Sequence, residues 1–302
     1  MVSEFLQRSG LSFDRLQSFC LVAAAGGVTK AAKGDPAKQS LYSRQVRELE
    51  EFFGTELIRR KGRGIVLTEA GISLHAIVRE GFTALSDFKS ECEGRPVEVV
   101  IGTGDSIIQW LLLPRLQEIR KNIPRVRFKF LNLPTDEAVK RLADGLIDFT
   151  LVREDAVASP SQAVPLGVLG YSLFLPQAFS SLARAKDKLK LLDDLALATI
   201  DGEGSFRVAL AEIGRKQKIK INIQIDCSSF PMAARVVAKG EMAAILPNIA
   251  ATELEMHGAV EVPLDFLRQF DRQISLCFSP RSVRIRPILH SVGQALAKLC
   301  RF

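Results

Sequence analysis

The sequence has little of what catalytic and metal centres are built from. Its three histidines, His75, His257 and His290, lie far apart, so neither a histidine-rich metal site nor a Ser-His-Asp arrangement has much to build on. Five cysteines, Cys20, Cys92, Cys227, Cys277 and Cys300, are scattered, odd in number and never spaced C-x-x-C. Neither a disulfide framework nor a zinc site follows. No Walker loop, G-x-G-x-x-G unit or nucleophile-base pair is recognisable, and no cofactor is expected. No apolar run approaches the roughly 18–20 residues that span a bilayer. Phe19-Cys20-Leu21-Val22-Ala23-Ala24-Ala25 resembles a short signal-peptide core, but Asp14, Arg15 and Gln17 interrupt its approach and helix-like polar sequence follows it. A structural helix and a cytoplasmic location are the expectation. No repeat of solenoid period and no low-complexity segment stands out.

What is present is the composition of a folded chain, with 47% apolar and 25% charged residues. At 302 residues it is long enough for two or three domains. The formal net charge of +7 permits a polyanionic partner without requiring one.

From Leu11 to Gly71 the pattern predicts three helices and a hairpin. Leu16, Phe19, Cys20 and Ala23 recur at helical spacing, and Gly26-Gly27 stops that helix. Thr29 is placed to cap a short second helix. A third helix is predicted from about Lys38 to Phe53, with Leu41, Val46, Leu49 and Phe53 on its buried side. Arg60-Lys61-Gly62-Arg63-Gly64 is a basic loop between two short apolar segments, which is the composition of a small wing. One long helix follows from Thr68 to about Cys92, with Leu74, Val78, Phe82, Leu85, Phe88 and Cys92 three or four apart. Such a stripe packs either on its own chain or on a second copy, and an isolated helix between two domains favours the second. Beyond Gly94-Arg95-Pro96, strands and helices alternate, including one long helix over Ile107 to Asn122. That order predicts a parallel sheet with crossover helices.

Residues 13–71 resemble the winged-helix domain of LysR-type transcriptional regulators. The likeness lies in Phe19, Ala31-Ala32, Gln39, Ser43-Arg44-Gln45-Val46, Leu49-Glu50, Gly54, Leu57, Arg59 to Arg63, Gly64 and Leu67-Thr68-Glu69-Ala70-Gly71. So many matches in register are a specific signal. Leu113-Pro114, Leu142 to Asp148, Val237 to Gly240 and Leu246-Pro247 are similar to that family's two-lobed effector domain. The resemblance implies an α/β multidomain chain. It would carry a winged helix-turn-helix at 11–71, a linker helix for dimerisation at 68–93, and a periplasmic-binding-protein-like (type 2) effector domain at 96–302 with mixed, mainly parallel sheets. The first lobe would take 96–166 and 270–302, the second 167–269.

A helix-turn-helix sets its second helix in the major groove with residues near that helix's N-terminus on base edges. Lys38, Gln39, Ser40, Ser43, Arg44 and Arg47 are the residues so placed. Gln pairs with adenine, Arg with guanine, and Ser with base or phosphate. The resemblance adds Thr29, Arg60 and, at the wing tip, Arg63, where a narrow minor groove attracts arginine. The family commonly has Ser-Gln-Pro-Ala where this chain has Lys38-Gln39-Ser40-Leu41, so a proline that presets the helix start is missing. Asp35-Pro36 is placed to recover part of that turn.

For the rear domain the resemblance implies a small-molecule effector held by Thr103, Gly104, Asp105 and Ser106, by Thr135, and from the second lobe by Ser205, Ser229 and Phe230. Each hydroxyl could instead be a helix cap. The Asp105 carboxylate would repel an anion unless neutralised, which admits a cationic or zwitterionic effector. Cys227 could sense redox state but reads better as core. The implied partners are double-stranded DNA with a pseudo-palindromic operator, the effector, and further copies in a homotetramer built from dimers. A solute-binding protein shares the rear architecture but would need an export signal and no basic wing. A cleft enzyme would need a catalytic set that is not recognisable here.

Overall fold

The structure, a computed structural model, describes residues 10–62, 64–157, 159–185, 187–188, 190–201 and 205–302. They divide into two compact units, one of the described residues up to Val97 with Lys140–Leu146 and Arg284–Arg286, the other of the remainder.

In the first unit, α1 (Phe13–Ala25), α2 (Val28–Ala31) and α3 (Pro36–Phe53) precede a two-stranded antiparallel wing, β1 (Ile58–Lys61) with β2 (Gly64–Leu67), and α4 (Glu69–Cys92). Phe19, Val22, Val46, Leu49 and Leu57 form the centre of its core. At about 1.5–3 kcal/mol for each such side chain removed from water, this small cluster is what holds three helices to a hairpin.

Three expectations are corrected in this unit. Thr29 caps nothing, because α2 begins after Gly27, whose backbone serves as the cap, and Thr29 sits exposed inside the first turn. The buried side of α3 includes Val46 and Leu49, but Leu41 and Phe53 are exposed. Tyr42, one helical turn before Val46, takes the core-facing place instead. Phe53 lies at the last helical position and packs edge-on to Phe52. Finally, α3 starts two residues earlier than predicted. Asp35 caps it by accepting from the Ala37 and Lys38 backbone N–H groups at 2.9 and 3.2 Å, with Pro36 at its first turn. The pair supplies the side-chain cap and the preset φ that the missing proline would have given.

The second unit contains two five-stranded mixed sheets. The first has the order β4 (Val126–Asn132), β3 (Val97–Thr103), β5 (Phe149–Arg153), β12 (Arg272–Phe278), β6 (Gln162–Leu169). β3 and β5 run parallel, while β12 is antiparallel to β5 and β6. The second sheet has the order β11 (Val260–Val262), β7 (Tyr171–Leu175), β10 (Ala243–Pro247), β8 (Leu197–Ile200), β9 (Ile223–Cys227), with β8 parallel to both of its neighbours. Helices α7 (Thr135–Ala143), α9 (Ser205–Gln217) and α10 (Phe230–Ala238) are among the crossovers, and α13 (Pro287–Leu299) packs its Leu289, Val292 and Leu296 on the first sheet's core.

The expectation of one long helix over Ile107 to Asn122 is also corrected. The segment is broken into α5 (Asp105–Ile107), a π-helical turn (Ile108–Leu112), a 3-10 turn (Leu113–Arg115) and α6 (Leu116–Asn122). Pro114 has no N–H to continue the ladder, and the wide turn before it absorbs the mismatch. Strand β6 was not predicted because Pro165 lies within it. Proline is tolerated there because β6 is an edge strand, and the register slips between Ile274 and Ser275 opposite Gly167 and Pro165.

Candidate functional site

The first unit places one set of motif residues inside and leaves another on the surface. Leu49 is core, and its neighbour Glu50 accepts the Leu57 and Ile58 backbone N–H groups at 2.9 and 3.2 Å, tying the end of α3 to the wing. Thr68 caps α4 by accepting from Gly71 N–H at 3.0 Å and donates its hydroxyl to the Glu56 carbonyl at 2.7 Å. Gly71 permits the close approach, since a Cβ on it would stand 2.0 Å from the Leu57 carbonyl oxygen. Gln45 accepts from the Ser18 hydroxyl at 2.5 Å, and Glu48 pairs with Arg15 at 2.5 Å. These residues are occupied with holding the unit together.

Gln39, Ser40, Ser43, Arg44 and Arg47 instead line, with Val28, one open concavity of about 390 Å³. Lys38 is nearby on the first turn, within 3.8 Å of Asp35, and Arg44 stands 3.8 Å from Glu48. Exposed pairs at such spacing hold a side chain only weakly. Arg47 has no ion-pair partner among the described residues. The face therefore offers three cations, an amide and two hydroxyls close to a helix N-terminus, where partial positive charge already favours phosphate. Thr29 and Arg60 are exposed, on α2 and β1, and do not line it. Arg63 lies outside the described residues.

In the second unit the predicted effector residues divide differently. Thr103 is fully buried and its hydroxyl donates to the Leu151 carbonyl at 2.5 Å, a bond between neighbouring strands. Ser229 caps α10, accepting from Met232 N–H at 3.4 Å. Both hydroxyls have internal duties. Gly104 caps α5 through its backbone alone, and Asp105 and Ser106 are half-buried, their side chains with no hydrogen-bond partner among the described residues. Thr135 is the first residue of α7 and half-buried. Ser205 begins α9, but its side chain lies outside what the structure describes. Phe230 belongs to an aromatic cluster with Tyr171 and Phe206, centroid distances 5.7 and 5.5 Å.

Sequence reasoning missed part of this surrounding. Burial pushes the Tyr171 phenol up to about 12, partly offset by the charges of Arg272 and Arg153. Arg272 begins β12, where the chain returns from the second sheet to the first, and Arg153 ends the neighbouring β5, opposite Ile274. Asn248, just after β10, has a buried amide oxygen with no partner among the described residues. The one available signal was compositional, Tyr171 being one of only two tyrosines. The expectation that Cys227 is core stands: it is buried, and burial followed by the Asp226 charge pushes its thiol up, against thiolate formation. Burial likewise holds Cys20 and Cys300 at about 11 and Cys277 at about 12.

Known proteins resemble the chain along almost its whole length. Residues 13–72 match the bacterial regulatory helix-turn-helix model of the lysR family, and residues 93–299 match the LysR substrate binding domain. A probable nitrogen assimilation transcriptional activator of Synechococcus elongatus is 26% identical over 96% of this chain and 94% of its own length. The HTH-type regulator BlaA of Proteus vulgaris is 34% identical over 48% of this chain and 49% of its own. Full-length LysG of Corynebacterium glutamicum with bound effector Arg shares the fold at a TM-score of 0.66 and 15% identity, covering 97% of this chain and all (100%) of that one. Full-length CbnR complexed with its target DNA does so at 0.54 and 20%, covering 95% and 99%. Two family models in succession, one over the helix-turn-helix and one over the two-sheet unit, make this chain a member of the LysR family, a DNA-binding transcription regulator with an effector-binding domain.

Proposed function

We propose that α3 reads a pseudo-palindromic duplex operator from the major groove through Gln39 and Arg44, with Lys38, Ser40, Ser43 and Arg47 on flanking phosphates and bases. Thr29 and Arg60 add backbone contacts, and Arg63 enters the adjacent minor groove. The observation that carries this is the concave α3 face, whose polar side chains have no strong internal partner while their motif neighbours Gln45, Glu48 and Glu50 do. Two copies joined along α4 would present two such faces about 34 Å apart, one helical turn of duplex, or a multiple of it. Leu85 and Phe88, 54% and 65% exposed on the second half of α4, are the residues such a pairing would cover. Further association into a tetramer, in the cytoplasm, follows the family pattern. In the second unit, Asp105 and Ser106 are the residues we assign to a small-molecule effector, with Gly104, Thr135, Ser205 and Phe230 around them. Thr103 and Ser229 would contribute only through the loops they brace.

The test is genomic. Fragments that the purified protein retains at low salt supply an operator, and binding to it is compared for wild type and Arg44→Ala. The variant should lose about 1–3 kcal/mol of specific affinity, with selectivity relaxed at one base pair. Unchanged affinity on a footprinted operator would remove Arg44 from the reading helix.

A further inference from the structure

The chain has a single tryptophan, Trp110, on the π-helical turn before Pro114. It is 6% exposed and packs not with the core of the first sheet but with Ala233, Ala234 and Leu254 beside the second. Its Nε1 donates to Glu253 Oε2 at 2.9 Å. Next to it is a cavity of about 480 Å³ whose lining includes Trp110, Leu111, Arg115, Ile249, Glu253 and Met256. That volume is within the range of about 300–1,000 Å³ typical of small-molecule sites. None of the residues assigned above to DNA or effector lines it.

Its walls combine three kinds of chemistry. Leu111 and Ile249 supply an apolar surface, and the exposed Met256 is a flexible, polarizable one. Arg115 is half-buried, gives one N–H to the Leu111 carbonyl at 3.1 Å, and has no carboxylate within ion-pair distance among the described residues. Glu253 is half-buried too, and its bond to Trp110 occupies one oxygen. Opposite charges thus face one cavity without being paired to each other. A half-buried guanidinium without a counter-charge is unfavourable, and so is a half-buried carboxylate answered only by an indole. A simple anion in this space would satisfy Arg115 but meet Glu253, and a simple cation the reverse.

We propose that this cavity is a binding site for a small zwitterion with a hydrocarbon side chain, of the apolar α-amino acid class. Its carboxylate lies on Arg115, its ammonium on the free oxygen of Glu253, and its side chain against Leu111, Ile249 and Met256. Arg115 belongs to the segment leading into α6, whereas Glu253 belongs to α11 (Ala251–Glu255), so a bound ligand adds a charged link in parallel with the Trp110–Glu253 bond.

Because Trp110 is the only indole, its emission reports this cavity without labelling. L-leucine, which does not absorb where tryptophan does, is titrated into the full-length protein. A saturable change is expected, weakened about tenfold or more by Glu253→Gln and by Arg115→Met, each of which removes one charge-assisted hydrogen bond. Glu253→Gln keeps an oxygen for Trp110, so it remains informative even if Arg115→Met does not fold. 4-Methylpentanoate and 3-methylbutylamine, each carrying one of the two charges, should also bind about tenfold more weakly or worse. The proposal is overturned by absence of leucine binding in both fluorescence and calorimetry at about 10 mM, weaker than any specific site of interest. Leucine affinity unchanged in Glu253→Gln, or a one-charge analogue matching leucine, overturns it equally. Operator DNA plays no part in the measurement, so its outcome is separate from that of Arg44→Ala.

Discussion

Polar residues at the start of α3 and polar residues at the start of α5 were expected to do the same kind of work, holding a partner, and the two regions turn out to be built in opposite ways. At α3 the cap is supplied from before the helix by Asp35 and Pro36, so the side chains that follow are held by nothing stronger than exposed ion pairs. At α5 the cap is a backbone glycine, and the hydroxyl just before it, on Thr103, is spent on a neighbouring strand. Around both starts, the residues that remain available are those with no backbone to satisfy. An internal hydrogen bond is a competing use, and a buried donor or acceptor released from it costs more than it returns.

That contrast is sharpened first by removing the close contact on which the front unit's exposed face rests. Gly71→Ala forces a Cβ to within 2.0 Å of the Leu57 carbonyl unless the backbone moves. Because the obstacle is main chain, we expect destabilisation of about 3 kcal/mol or more, at the upper end for single substitutions. It is measured by chemical denaturation followed by circular dichroism. Near-wild-type stability would show that α4 can shift along the wing without loss.

Glu50→Ala comes next. It strands the Leu57 and Ile58 N–H groups, both of which now donate to one carboxylate oxygen. Loss of about 2 kcal/mol is expected for two donors to a charged acceptor, part of it recovered by water at the half-exposed site. Arg47→Ala, on the same helix but facing out, should leave stability within about 0.5 kcal/mol. If Arg47→Ala destabilised as much as Glu50→Ala, the division of motif residues into internal and available would fail.

Thr103→Val tests the other side of the comparison. It removes a fully buried hydroxyl bonded to the Leu151 carbonyl and should cost about 1 kcal/mol. Ser106→Ala, with no partner to lose, should leave the melting temperature unchanged. A stability loss in Ser106→Ala equal to that in Thr103→Val would mean that Ser106 is braced by the fold and not held in reserve.

The sequence was most legible where a residue's type and its backbone duty coincide. The apolar positions Phe19, Val46 and Leu49 follow from local rules of spacing, whereas the threonine that caps α4 and the glycine that lets it close on Leu57 enter the sequence reading only as matches to the family. It was least legible where tertiary context overrode a local signal. Pro165 reads as a strand breaker until β6 is seen at a sheet edge, and the stretch before Pro114 reads as a plain helix until its π turn is seen. Leu41 was assigned to the core because its hydrophobicity outweighed its phase, one position off the stripe that Tyr42 occupies. At the rear site the residue types were right for capping and for binding alike, and only the hydrogen bonds of Thr103 and Ser229 separate the two uses. Arg153, Tyr171 and Arg272 meet through strands far apart in sequence, so no window of residues could have grouped them.

The smallest effect expected concerns His75, a polar residue of the front unit that has neither kind of use. It is buried edge-on to Phe19 at a centroid distance of 6.2 Å, and its Nε2 has no hydrogen-bond partner among the described residues. Burial, and then the nearby Arg79 charge, lower its pKa from the ordinary 6.5, while Asp144 acts in the opposite direction. The unfolded chain therefore takes up the proton at a higher pH than the folded one. Above 6.5 both states hold a neutral imidazole and the group adds no pH dependence. As pH falls from there toward the lowered folded value, the unfolded state binds more protons and stability declines, by at most about 1.4 kcal/mol per pH unit. His75→Phe removes the titrating group while keeping a ring beside Phe19. Denaturation midpoints at about pH 7.5 and about pH 5.5 should then differ less in the variant than in the wild type. Equal pH dependence in the two proteins would show that the imidazole titrates alike in the folded and unfolded chains, with Asp144 balancing burial and Arg79.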